Sequence, residues 1–139
     1  MSMRIGHAFD IHPFSQDPER VLVLGGVIFP GETALHGHSD ADVIAHACID
    51  AILRPAGLGD IGQLFPDTDP ALAGADSMVL LAEALRQLHN LGGSVVNIDV
   101  TVVAERPKIA PRKTEIEQRL TAAIGAPVTV KGKRAEGLG

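Results

Sequence analysis

Apolar and polar positions alternate imperfectly from Arg4 to His12, RIGHAFDIH, with Ile5, Phe9 and Ile11 on odd positions. A period of two predicts a strand that buries Phe9 and Ile11 and projects Asp10 and His12 together from its other side. HPFSQDPE, which follows, has turn composition. RVLVLGGVIFPGE (20 to 32) predicts two short apolar strands pivoting on Gly25 and Gly26 as a hairpin. Spacing turns helical in HGHSDADVIAHACIDAIL (36 to 53), with Ser39 or Asp40 as the cap and an apolar side of Val43, Ala47 and Ile49 to Ile52. Pro55 and Gly57 end that helix, and the Gly, Asp and Pro content of residues 57 to 70 predicts an acidic loop without regular structure. Asp76 is placed to cap a helix over 77 to 90, with Leu80, Leu81, Ala84, Leu85 and Leu88 as its buried stripe. Residues 94 to 104 and 126 to 132 read as strands. Between them Pro111 opens a helix to about Ile124, with Glu115 and Arg119 spaced for an ion pair. Helices interleaved with strands give an α/β class, an α+β sandwich of one mixed sheet with helices on one face.

At 139 residues the chain forms one domain spanning 1 to 139. With four Phe and no Trp or Tyr, its core must rest on aliphatic side chains. A net charge of -5 argues against a nucleic-acid partner, which needs a basic surface to displace phosphate counterions. Cys48 is the single cysteine and no segment reaches the ~20 apolar residues of a membrane helix, so the expectation is a cytoplasmic protein with no membrane partner.

Candidate chemistry begins with the histidines. His7, His12, His36 and His38 precede residue 40, and His46 follows closely. Asp10, His12 and His46 form an N/O set suited to a catalytic Zn²⁺, which takes three protein ligands and leaves a fourth position open. Read from spacing alone, Asp10 and His12 are equally a solvated edge pair and His46 a core histidine. HSDAD (38 to 42) at a helix start favours an anion, or is simple capping that leaves His38 unexplained. Asp60, Asp67 and Asp69 around Phe65 belong to a ligand loop or to an acidic surface. Lys108 in AERPKIAP, and Lys131, Lys133 and Arg134 beside Glu136 in VKGKRAEG, suit phosphate or are merely solvated.

Taken in order, GHAFDIHPF, GGVIFPGE, HSDADVIAHACIDAIL, LGDIGQLFPDTDP, GADS, NIDVTVVAERPKI and VKGKRAEGLG resemble the 2-C-methyl-D-erythritol 2,4-cyclodiphosphate synthase family over nearly the whole chain. The resemblance implies a homotrimer with sites between subunits, a lyase of isoprenoid biosynthesis, and CMP release from 4-diphosphocytidyl-2-C-methyl-D-erythritol 2-phosphate. It also implies zinc, or another divalent transition metal, on Asp10, His12 and His46. A second cation, Mg²⁺ or Mn²⁺, would sit at Glu136 with the substrate diphosphate. His38 and Ser39 would contact the 2-phosphate end, with His38 catalytic, and Ile11 would lie beside the substrate with its metal-binding neighbours. Asp60, Ile61 and Gly62, then Phe65, Pro66, Asp67, Thr68 and Asp69, would hold the methylerythritol portion. Ala104, Glu105, Arg106, Pro107, Lys108, Ile109 and Ala110 would form the cytidine pocket. Where the family carries threonines this chain has Lys133, Arg134 and Ala135, so Arg134 is expected to replace a catalytic hydroxyl as a charge-assisted donor. The family also continues for about one further strand beyond the position of Gly139. Other outcomes consistent with these motifs are a homologue that binds metal and cytidine nucleotide without turnover, and a phosphohydrolase admitting water to the open metal position.

Overall fold

The structure, a computed structural model, describes residues 2–138. Its elements are β1 (Leu22–Leu24), β2 (Val27–Phe29), α1 (Val43–Leu53), α2 (Ile61–Leu64), α3 (Ser77–Asn90), β3 (Ile98–Val103), α4 (Lys113–Ile124) and β4 (Val128–Lys133). Single 3₁₀ turns at Pro70–Leu72 and Ala110–Arg112 precede α3 and α4.

β1 and β2 pair antiparallel, and Gly25 and Gly26 both take positive φ, +60° and +74°, the backbone a tight two-residue hairpin turn requires. A Cβ on Gly25 would lie 2.5 Å from the Ile116 side chain, so glycine is also needed there for close packing against α4. β3 and β4 pair in parallel through the α4 crossover. The expected single mixed sheet is therefore corrected: among the described residues there are two separate two-stranded ladders, packed with the helices around one aliphatic core. Leu22, Ile44, Ile49, Leu53, Leu81, Ile116, Leu120 and Val130 are fully buried in it. On the open side of β4, the Val128 and Val130 amides donate to the Thr121 hydroxyl and Glu117 carboxylate of α4, at 3.1 and 2.8 Å.

Several local expectations change. The α1 cap is Asp42, because Ala41 takes a left-handed φ of 58° that delays the helix, freeing Ser39 and Asp40 for contacts elsewhere. Asp42 is fully buried and its carboxylate accepts the amides of Ala45, Gly25 and Gly26, so one side chain joins the start of α1 to the hairpin turn. Ala47 is only half-buried; the buried side of α1 is Ile44, Ala45, His46, Cys48, Ile49, Ile52 and Leu53. The 57 to 70 loop contains α2, because Asp60 and Gln63 form a reciprocal capping box and the Asp50 carboxylate accepts the Ile61 amide. β3 begins only at Ile98. Glu115 pairs with Arg112, three residues back, instead of with Arg119.

Residues 4 to 12 form no ladder among the described residues. The alternation survives with its faces reversed. Arg4 donates to the Pro55 carbonyl, and Gly6 lies so close to α1 that a Cβ there would sit 1.9 Å from the Ala51 oxygen. That contact turns Asp10 and His12 inward and leaves Ile5, Phe9 and Ile11 90%, 79% and 75% exposed, the opposite of the expected burial.

Candidate metal centre and substrate loops

Two consecutive like-facing positions of the N-terminal segment meet the first turns of α1 at one point. Asp10 Oδ2 lies 2.9 Å from His12 Nε2 and 3.3 Å from His46 Nδ1, and the two imidazole nitrogens are 3.2 Å apart. Asp10, His12 and His46 make the one group of three potential metal ligands found among the described residues. His12 Nδ1 sits 2.9 Å from the His36 carbonyl, which can only accept, so that nitrogen carries the proton and Nε2 turns its lone pair toward Asp10. Asp10 Oδ2 is buried and accepts no well-directed hydrogen bond despite its close neighbours. Electron-rich atoms thus converge on a shared point, an arrangement that a cation relieves. Ligands held about 2.0–2.1 Å from a tetrahedral zinc lie roughly 3.3 Å from one another, which the two separations to His46 match, the 2.9 Å between Asp10 and His12 being shorter.

In the absence of a cation, a proton on His12 relieves the same crowding. Burial alone pushes the Asp10 carboxyl upward, but the two imidazoles hold it well below the ordinary carboxylate range. Asp10 in turn raises His12 above the ordinary imidazole value, against burial, which lowers it. Cys48, the remaining soft ligand type, is buried in the core, and burial pushes its thiol up to about 12, so no thiolate is available.

His38 and Ser39 occupy the turn before α1. His38 Nε2 donates to the Asp69 carbonyl at 2.8 Å, tying HSDAD to the DTDP stretch, and Ser39 Oγ lies 3.1 Å from His46 Nε2. The loop from Asp60 to Asp69 is thereby anchored at both ends, by the α2 capping box and by His38. Ile61, Gly62, Phe65, Pro66, Asp67 and Thr68 lie between those anchors.

Ala104 to Ala110 follow β3 and dock on the other basic stretch. The Ala104 amide donates to the Lys133 carbonyl, and the Glu105 carboxylate accepts the Gly137 amide. Arg106 stacks 5.7 Å over the Phe14 ring, two residues beyond His12. Pro107 follows a cis peptide bond, Lys108 is exposed, and the Ile109 side chain is buried in the core, so that segment offers a ligand its backbone rather than Ile109's side chain. Lys131 is taken by Asp99 across the ladder, at 2.7 Å, whereas Lys133, Arg134 and Glu136 are exposed around half-buried Ala135. Glu136 stands outside the Asp10–His12–His46 group.

Sequence reasoning missed Ser77. Its hydroxyl lies 2.8 Å from His46 Nε2 although 31 residues separate them, and neither periodicity nor spacing carries that contact. No helix among the described residues is long and apolar enough to cross a membrane.

A family model described as the YgbB family matches residues 3–139. The chain is 51% identical to the 2-C-methyl-D-erythritol 2,4-cyclodiphosphate synthase of Aromatoleum aromaticum, an alignment covering 98% of this chain and 83% of that protein. It is 50% identical to the same-named protein of Ralstonia pickettii over 100% of this chain and 83% of that one. Among solved structures, a CDP-bound 2C-methyl-D-erythritol-2,4-cyclodiphosphate synthase superposes with a TM-score of 0.88 at 36% identity, covering 97% of this chain and 91% of that one. The bifunctional IspDF of Campylobacter jejuni superposes with a TM-score of 0.91 at 39% identity, over 98% of this chain and 37% of that one.

Proposed function

Since this chain belongs to the YgbB family, we propose that it is an enzyme converting 4-diphosphocytidyl-2-C-methyl-D-erythritol 2-phosphate to 2-C-methyl-D-erythritol 2,4-cyclodiphosphate and CMP. The observation that carries this reading is the convergence of Asp10 Oδ2, His12 Nε2 and His46 Nδ1 within a chain about half identical to named synthases.

In the reaction, an oxygen of the 2-phosphate attacks the β-phosphorus of the diphosphate while the bond to the CMP oxygen breaks. An eight-membered ring closes and no water enters the balance. Such a displacement asks the protein mainly for positioning and charge. Asp10, His12 and His46 would hold a zinc or similar divalent ion, which supplies Lewis acidity toward phosphate oxygens. His38 would steady the 2-phosphate as an imidazolium, donating from Nδ1–H while its Nε2–H is held by the Asp69 carbonyl. Ser39 would present a hydroxyl to the same end. The anchored loop from Asp60 to Asp69 would enclose the methylerythritol portion, with Phe65 as its apolar wall. Backbone groups of Ala104 to Ala110 would read the cytosine edge, a role supported by the CDP bound to the related synthase. Glu136 would carry a second divalent cation at the diphosphate, and Arg134 would offset charge gathering on the transferring phosphate.

A homotrimer is part of the same reading. Ile5, Phe9 and Ile11 form an apolar row exposed in the single chain. Burying each such side chain is worth about 1.5–3 kcal/mol, a driving force for association beside the metal ligands.

The test is incubation of the protein with the diphosphocytidyl substrate and Mg²⁺, following CMP by chromatography and phosphorus species by ³¹P NMR. CMP with a cyclic diphosphate is expected. Linear phosphate products would identify a hydrolase instead, and no CMP release would sink the synthase reading.

A further inference from the structure

The loop carrying Ser39 and Asp40 is zipped to the entry of α3: the Gly74 amide donates to the His38 carbonyl at 2.8 Å and the Asp40 amide to the Ala75 carbonyl at 3.0 Å. That docking places the Asp40 carboxylate on Ser77. It accepts the Ser77 amide at 3.0 Å through Oδ2 and the Ser77 hydroxyl through Oδ1. Ser77 is completely buried, so its hydroxyl exchanges no contact with water, while Asp40 is half-buried.

A serine hydroxyl has one proton to give, and Ser77 gives it to Asp40. Toward His46 Nε2, 2.8 Å away, Ser77 Oγ can therefore act only as an acceptor. Ser39 Oγ, which accepts the Ala41 amide at 3.3 Å, lies 3.1 Å from the same nitrogen. The proton of a neutral His46 then sits on Nε2, and its lone pair is on Nδ1, the atom facing Asp10 and His12. We propose that Ser77 and Asp40 are positioning residues, a carboxylate–hydroxyl relay that locks His46 in the tautomer and orientation its ligand role needs. The inference rests on Asp10, His12 and His46 being a metal site. His12 is fixed in the same sense by the His36 carbonyl, so both imidazoles reach the cation position ready to bind. Outer partners of this kind govern ligand basicity and orientation, and losing one lowers metal affinity by roughly 10–100-fold.

The tautomer is readable without metal. Long-range ¹H–¹⁵N correlation spectra of metal-free protein at pH 8 should show His46 protonated at Nε2. Ser77→Ala should mix the tautomers, and Zn²⁺ affinity, measured by chelator competition, should fall about tenfold, because Ser39 remains as a weaker acceptor. Asp40→Ala frees the Ser77 proton to be donated to Nε2 and should shift His46 toward the opposite tautomer. Ser77→Thr, which keeps the hydroxyl, should restore both readouts, separating the relay from a packing defect. His46 protonated at Nδ1 in the parent protein, or a folded Ser77→Ala variant with unchanged tautomer and Zn²⁺ affinity within twofold, would overturn the relay. Zn²⁺ affinity unaltered in His46→Ala would overturn the metal assignment on which it rests, while leaving the tautomer measurement to judge the hydrogen-bond chain by itself.

Discussion

Replacing Asp42 with alanine tests how the start of α1 is held. Three amides lose their acceptor at once, those of Gly25, Gly26 and Ala45, at 2.8, 2.8 and 3.0 Å. Gly25 and Ala45 are buried, while Gly26 is partly open to solvent. Each buried amide left unpaired costs about 1–3 kcal/mol, and the wetter one less. Against this stands the charge itself: burial raises the Asp42 carboxyl to about 6, outweighing the three amides that favour its ionised form. At neutral pH removing a desolvated charge returns part of the loss, so the net penalty should be about 3 kcal/mol. For a chain this size that is roughly a 10 °C fall in Tm. The pH dependence has a definite sign. With a folded value of about 6 above an ordinary 3.8, the native state binds the extra proton between those limits. Parent stability attributable to Asp42 is thus fully present below about 3.8 and is lost as pH rises through about 6. The alanine penalty should therefore be larger at pH 4.5 than at pH 7.5. Urea unfolding of both proteins, followed by circular dichroism at the two pH values, measures it. A penalty below about 1 kcal/mol at both, or one that shrinks on acidification, would refute the reasoning.

Three further outcomes are expected. Gly37→Ala places a Cβ 3.2 Å from His12 Cε1 and Nδ1 and 3.0 Å from Ala41 Cβ, so it should tilt the imidazole and weaken Zn²⁺ binding about tenfold in chelator competition; equal affinity would show that the loop yields freely. His46→Ala should abolish Zn²⁺ retention on dialysis and CMP release together, and full turnover without bound metal would remove the cluster from the mechanism. Phe9→Ser combined with Ile11→Ser should dissociate the proposed trimer in sedimentation velocity while leaving the monomer folded, since both side chains are exposed in the single chain; an unchanged sedimentation coefficient would place the interface elsewhere.

Local signals in the sequence located what neighbouring residues decide. Gly25 and Gly26 announced the hairpin turn, and Asp76 announced α3 to the residue, because turn and cap chemistry act over two or three positions. The candidate ligand trio was legible in part: like-facing Asp10 and His12 follow from alternation, but pairing them with His46 needed tertiary structure or the family resemblance. Alternation also identified two faces of residues 4 to 12 without saying which is inward. The approach of Gly6 to α1 decided that, since the polar face is the one drawn to His46. Ser39 and Asp40 looked like caps because their side chains suit capping, and the left-handed turn at Ala41 moved that task to Asp42. The relay through Ser77 depends on the docking of residues 38 to 40 against 74 to 77, which no local pattern encodes.

The β3–β4 ladder has a polarity of its own. Thr121 and Glu117 occupy the outward amides of Val128 and Val130 in β4, so a strand arriving at that end meets side chains where it would need free donors. Growth of this ladder is favoured from the β3 side, where the described residues supply no third strand. Misassembly by strand capture, a hazard of open sheets, is thereby disfavoured on the β4 side, where Thr121 and Glu117 of helix α4 stand in the way.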